Sequence, residues 1–362
     1  MCLALEDGSV YPGHRMGANR EAVGEVVFNT SMTGYQEMLT DPSYGGQILV
    51  PTYPMIGNYG VSEHDWESRR IQVRGFVVRQ DCDLPSHVNS TATVHEYLSQ
   101  NGVPGVTGVD TRSITRKLRS RGVMMGIITP QTDVDYALRT LRASPRYEDL
   151  DVVSEVATEE MYEWEGSKGA SPDAPMIVVI DLGVKHNILR NLARRGCRVI
   201  VVPPGITAEE VLDLKPDGLL LSPGPGDPVF LQDTVKTAQA LAGRVPTFGI
   251  CLGHQVIARA YGADTFKLKF GHRGGNHSVM EEETRRVCVT AQNHGYAVDP
   301  AELSPEMVVT HRDLSDDTVE GMRHRSLPIM TIQYHSEASP GPHDAEYLFD
   351  RFMDMVRERR RG

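Results

Sequence analysis

The sequence lacks any apolar run of roughly 18 residues or more, so no stretch of it can cross a bilayer as a helix. Its first residues, MCLALEDGSVYPG, have no basic segment and turn acidic by Glu6, which argues against a signal peptide. Cysteine is scarce: Cys2, Cys82, Cys197, Cys251 and Cys288 are odd in number, widely scattered and form no Cys-x-x-Cys pair. That pattern excludes a disulfide framework and fits a reducing compartment, the cytoplasm. No phosphate-binding loop ending in Gly-Lys-Ser/Thr occurs, so ATP chemistry is expected on another chain. The histidines in FGHRGGNHSV, QNHGY, THRDL and MRHR invite a metal reading, but neither His-Glu-x-x-His nor a close Cys/His pair is present, and no metal is expected. An excess of positive charge is missing too. The net charge of −11 argues against nucleic acid or an anionic membrane as the main partner.

What is present is ordinary for a globular protein, with 40% hydrophobic and 23% charged residues. A chain of 362 residues is long enough for two domains, each with its own core. Between Glu148 and Glu165 stand eight acidic residues and no lysine or arginine, followed by GSKGASPDAP. So polar a stretch has little to bury and reads as an exposed linker. The expected division is residues 1–150, a linker over 151–175, and residues 176–362. The last part alternates strand and helix: MIVVID, KHNILRNLARRG, RVIVV, DGLLLS, a helix near 229–243, PTFGI and LGHQVIARAYG. This spacing predicts an α/β fold with a mostly parallel sheet and right-handed crossovers. Beyond Gly262 the pattern predicts short strands and turns, then a closing helix over HDAEYLFDRFMDMVRER. The first 150 residues read as mixed α/β, with strands at EVVFNT, QILVPTYP, GFVVRQ and GVMMGIITP and helices near 93–100 and 110–120.

One stretch stands out chemically. FGICLGHQ sets Cys251 between glycines at −2 and +2, after a strand and before a helix. This is the pattern of a nucleophile elbow, in which the flanking glycines let strand and helix pack closely under a strained turn. The helix N-terminus favours negative charge at the sulfur. A cysteine nucleophile needs a base and an orienting group. IMTIQYHSEAS supplies His335 at a strand end with Glu337 two residues on, on the same side if the chain stays extended. An oxyanion needs two N–H donors: one from Leu252, the other from the loop SPGPGDP. Each feature also has a plain alternative: an inert core thiol, a solvated His/Glu pair, an ordinary Pro/Gly turn.

Taken together, GICLGHQ and SPGPGDP resemble the class I, triad-type glutamine amidotransferases. GEVVFNTSMTGYQEMLTDPSYGGQILVPTYPMIGNYG, FKLKFGHRGGNHSV, TAQNHGYAVD and EASPGPHDAEYLFDRF are similar to the small glutaminase subunits of glutamine-dependent carbamoyl-phosphate synthetases, nearly end to end. The resemblance implies Cys251 as nucleophile, His335 as acid/base and Glu337 as its orienting carboxylate. It implies glutamine contacts at Ser43, Gly224, Gly226, Leu252, Gln255, Asn293, Gly295 and Tyr296. It further implies a large synthetase subunit as partner. Ammonia reaches that subunit through an internal tunnel and meets bicarbonate and ATP there, for arginine and pyrimidine synthesis. No cofactor is then expected on this chain, with ATP and Mg on the partner. Two departures are visible: Tyr296 stands where phenylalanine is common, and Ser336 where a proline often separates His from Glu. A stand-alone γ-glutamyl hydrolase and a catalytically silent scaffold remain the competing readings.

Overall fold

The computed structural model describes residues 1–361, which form two units that divide between Val152 and Val153. The first unit holds an eight-stranded mixed sheet. Its neighbours, in order, are Val10–Pro12, Cys2–Leu5, Met124–Thr129, Ala22–Asn29, Gln47–Pro51, Gly75–Val77, Pro104–Thr107 and His14–Gly17. The expected strands and both helices are there, the latter as Val94–Gln100 and Thr111–Arg121. Both helices start where a side chain can take up an orphan N–H. Thr93 and Glu96 form a reciprocal capping box, and Asp110 accepts from the Ser113 N–H.

In the second unit five neighbouring strands run parallel: Arg198–Val202, Met176–Ile180, Gly218–Leu221, Thr247–Ile250 and Ile329–Ile332. Their apolar runs are continuous because both sheet faces are covered. Successive residues therefore feed two different cores. Val178, Ile180, Leu219 and Leu221 pack under the helices Gln232–Leu241 and Leu252–Ala260. Ile177, Val179, Leu220 and Phe248 pack under His186–Arg194 and Tyr347–Arg361. The result is a helix–sheet–helix sandwich whose strand ends lie at Ile250 and Ile332.

Two expectations change. The segment 151–175 is not a bare linker: Val152 packs in the core of the first unit, and residues 153–175 are folded into the second. Tyr162–Glu163 adds an antiparallel edge strand beside Ile200 and Val201, and the Glu163 carboxylate pairs with Arg198 at 2.9 Å. Val153 and Ala157 are buried in the core, and the Thr158 N–H donates to Asp181 at 2.8 Å. The few apolar residues are spaced so that they dock while the acids face water, which bulk composition conceals. Beyond Gly262 the strands are long rather than short. Asp264–Glu281 pairs with Val287–Asp299 as a hairpin, interrupted by register shifts between Lys267 and His272 and between Gly274 and His277. Such irregularities break the period-2 pattern that would announce a long strand. With Met307–Asp313 and Val319–His324 this hairpin extends the parallel sheet in antiparallel fashion past Ile329–Ile332.

Candidate active site

Cys251 sits at the corner between the strand Thr247–Ile250 and the helix Leu252–Ala260, with φ +52° and ψ −106°. A non-glycine residue held there costs about 1–3 kcal/mol, and it persists only where the surroundings over-determine it. They do so here. The Cys251 N–H donates to Ile332 O at 2.8 Å, tying the corner to the neighbouring strand. A Cβ on Gly249 would stand 2.7 Å from Gly253 O, and one on Gly253 would stand 2.2 Å from Leu221 O. Only glycine fits either position. The sulfur is buried, with Asn293 O 3.9 Å away, at the amino end of a nine-residue helix.

The strand expected to reach His335 ends at Ile332, and the chain returns to the sheet at His335 through an isolated bridge with Ala291. The His335 N–H donates to Ala291 O at 2.9 Å, which fixes the imidazole's base. His335 Nδ1 stands 2.6 Å from Glu337 Oε1, with both residues buried. A solvated strand-end pair is therefore excluded. The carboxylate orients the Nδ1–H tautomer and leaves Nε2, which has no other hydrogen-bond partner, as the working nitrogen.

Sequence reasoning missed the group behind this pair. Lys185 is buried, and its Nζ lies 3.0 Å from Glu337 Oε1 while donating to Ala338 O at 2.5 Å. Asn187 Nδ2 donates to Glu337 O at 2.5 Å. Both residues stand where the turn after Met176–Ile180 runs into the helix His186–Arg194, and no spacing in DLGVKHN announces the role. Burial would raise the Glu337 pKa, but Lys185 and then His335 lower it to about 2. Burial works to lower that of His335, while Glu337 and then Cys251 raise it to about 10.

Leu252 opens the helix, so its N–H is one of the donors that an α-helix leaves without an internal partner. The Ser222–Asp227 loop is pinned beside it. Gly253 N donates to Ser222 O at 3.1 Å, Leu182 N to Ser222 Oγ at 2.9 Å, and a Cβ on Gly224 would stand 2.9 Å from Leu252 Cδ2. Gly226 turns the same loop with φ +85°. Gln255 Nε2 donates to Tyr296 O at 2.9 Å and to Gln333 Oε1 at 3.0 Å, which ties the elbow helix to the Asn293–Tyr296 segment. Asn293, Gly295 and Tyr296 share the strand Val287–Asp299, with the Asn293 carbonyl beside Cys251. Ser43 lies in the first unit, in the turn Pro42–Tyr44, where its N–H donates to Asp41 Oδ1 at 2.9 Å. Ser336, between the imidazole and carboxylate residues, is buried, and its Oγ has no hydrogen-bond partner.

Comparison with known proteins follows the same division of the chain. The family model for the carbamoyl-phosphate synthase small chain, CPSase domain, matches residues 3–128, and that for glutamine amidotransferase class-I matches residues 178–355. The chain is 48% identical to the carbamoyl phosphate synthase small chain of Listeria monocytogenes serotype 4b (strain F2365), over 99% of this chain and 98% of that protein. It is 50% identical to the carbamoyl phosphate synthase small chain of Nostoc sp. (strain PCC 7120), over 98% and 95% respectively. Its identity to the carbamoyl phosphate synthase pyrimidine-specific small chain of Bacillus subtilis (strain 168) is 48%, again over 98% and 95%. With its elbow cysteine, buried His–Glu pair and end-to-end likeness to these proteins, the chain belongs to the family of carbamoyl phosphate synthase small chains and carries a class I glutamine amidotransferase domain.

Proposed function

We propose that this chain hydrolyses the γ-amide of glutamine at Cys251 and delivers the ammonia to a large synthetase chain, which makes carbamoyl phosphate from bicarbonate and ATP. The observation that carries the reading is the strained, glycine-flanked Cys251 beside a buried His335–Glu337 pair that Lys185 neutralises from behind.

Cys251 gives its thiol proton to His335 Nε2 as the sulfur attacks the amide carbon, and the carbonyl oxygen becomes an oxyanion facing the N–H of Leu252 and the Gly224 loop. His335, its tautomer fixed by Glu337, gives a proton to the departing nitrogen. Ammonia leaves, and a γ-glutamyl thioester remains on Cys251. Water then attacks the thioester while His335 takes up its proton, and glutamate and the free thiol are restored. One glutamine and one water yield one glutamate and one ammonia. Gln255, Asn293, Gly295 and Tyr296 are assigned to glutamine.

ATP and Mg are assigned to the large chain, which agrees with the absence of a Gly-Lys-Ser/Thr phosphate loop here. Among the described residues no helix is long and apolar enough to cross a membrane. All five cysteines are free, and we assign the cytoplasm as the compartment. The large chain also sets the rate. Losing one oxyanion donor costs on the order of a hundredfold or more, so a small misplacement keeps the isolated chain slow. Glutamate release should rise at least about tenfold when the large chain, bicarbonate and MgATP are added, with the ammonia recovered as carbamoyl phosphate. Full-speed hydrolysis by the isolated chain, unchanged by the large chain, would instead favour a stand-alone hydrolase.

A further inference from the structure

A second group of buried imidazoles and carboxylates lies on the antiparallel extension of the sheet, and the reaction above does not use it. His272 and His294 are direct cross-strand partners in the long hairpin, and Glu320 reaches them from the strand Val319–His324. All three side chains are buried. Glu320 Oε1 lies 3.6 Å from His272 Nδ1 and 3.7 Å from His294 Nε2. None of these three atoms has a hydrogen-bond partner.

The other ends of the same groups show where each imidazole spends one hydrogen. His294 Nδ1 lies 2.7 Å from the carbonyl of Tyr296, which can only accept, so Nδ1 carries the hydrogen and Nε2 presents a lone pair. His272 Nε2 lies 2.8 Å from Asp316 Oδ2, so it too spends its hydrogen outward. Gln292 Nε2 donates to the second Glu320 oxygen at 2.8 Å. With His272 neutral, three lone pairs converge in a buried place, so a positive charge is needed among them, either a metal ion or a proton on His272 Nδ1. Outward N–H groups on a carboxylate and a backbone carbonyl are what metal-bound imidazoles usually show. Ligand atoms at about 2.0–2.1 Å from a tetrahedral zinc stand about 3.3 Å apart, close to the two Glu320 spacings here, and all three atoms lie within 4.8 Å of one another.

We propose that His272 Nδ1, His294 Nε2 and Glu320 Oε1 bind a divalent metal ion of the zinc class. Zinc suits two imidazoles and a carboxylate, whereas calcium or magnesium would call for oxygen donors throughout. The expectation of no metal rested on spacing within single segments, and these ligands come from three strands. A neighbouring set, His272, His277 and Asp313, is weaker: Asp313 Oδ2 already faces His277 Nδ1 at 3.4 Å and stands 4.0 Å from His272 Nδ1. The ion would brace the segment that carries Asn293 and Tyr296, because the Tyr296 carbonyl accepts from both His294 and Gln255.

The test uses the full chain with any affinity tag removed, stripped with a chelator and titrated with zinc against a chromophoric competitor. The expected result is one zinc per chain. Glu320→Gln and His272→Gln should each weaken binding on the order of 100-fold or more, while Cys251→Ser should leave it unchanged. Cobalt in the unmodified chain should give the strong visible absorption of a tetrahedral site without a thiolate charge-transfer band, a readout that stands even if a variant fails to fold. A chain that is folded by circular dichroism but takes up no zinc would overturn the proposal, leaving a proton on His272 as the compensating charge. Binding that is lost in Cys251→Ser and kept in Glu320→Gln would overturn it as well.

Discussion

Two buried imidazole–carboxylate groups lie in the second unit, and they are balanced in opposite ways. At His335 one carboxylate oxygen, Glu337 Oε1, meets two partners, the imidazole at 2.6 Å and the Lys185 ammonium at 3.0 Å. At Glu320 each imidazole turns a hydrogen outward, and among the described residues no lysine or arginine is paired with the carboxylate in place of Lys185. Burial makes an uncompensated charge costly in either place. The first group meets the cost with its own lysine and can move a proton. The second has the donor set of a cation site. Burial and residue type are alike, so the direction of each N–H is what separates acid/base machinery from a ligand set.

The largest test of the first group removes its nucleophile. Cys251→Ser should lower glutamine hydrolysis by about 10⁴-fold or more while leaving glutamine binding measurable by calorimetry. Comparable turnover in that variant would assign the chemistry elsewhere. His335→Asn comes next, with a loss in kcat of about 10²–10⁴-fold, and Glu337→Gln should cost less, because the carboxylate positions the proton rather than moving it. The pH profile sharpens this distinction. Glu337 raises His335 to about 10, which keeps available the imidazolium that protonates the departing nitrogen. Glu337→Gln should therefore move the alkaline fall in activity to lower pH, and an unmoved limb would deny the coupling.

Lys185→Met leaves Glu337 buried without its ammonium and should cost about 3–5 kcal/mol of stability, read from the denaturant midpoint. The sign with pH follows from a lowered carboxylate. The stability that Glu337 contributes is present above its unfolded value and is lost as pH falls through about 2. Without Lys185 that loss should begin at higher pH. Gly253→Ala should cost about 1–3 kcal/mol, since its Cβ would collide with Leu221 O, and the loss of activity should exceed the loss of stability as the elbow shifts. The smallest effect is expected at Ser336, whose buried hydroxyl is unpaired. Ser336→Ala should raise stability by about 1 kcal/mol with kcat near that of the unmodified chain.

The elbow was legible in the sequence because its constraints are local. Glycines at −2 and +2 of Cys251, an apolar run before it and a helical period after it all lie within a few residues. His335 and Glu337 were legible as a pair for the same reason, although only the fold shows that they are buried. Lys185 was not legible: it meets Ala338 across 153 positions, and nothing near it in the chain marks it. The histidine group was read away from metal because its members lie on three strands with no signature spacing. The linker was misjudged because eight acids outweigh the few apolar residues that dock it. The long hairpin was hidden by its own bulges.

The role of Cys251 is tested most directly by trapping the acyl-enzyme. The full chain is mixed with glutamine, quenched in acid within a turnover, digested and read by mass spectrometry. A γ-glutamyl group on the peptide that contains Cys251, absent after Cys251→Ser and accumulating when the water step is slowed, is the predicted result. Glutamate released at an undiminished rate with no adduct, or with the adduct on Cys82 or Cys288, would contradict it.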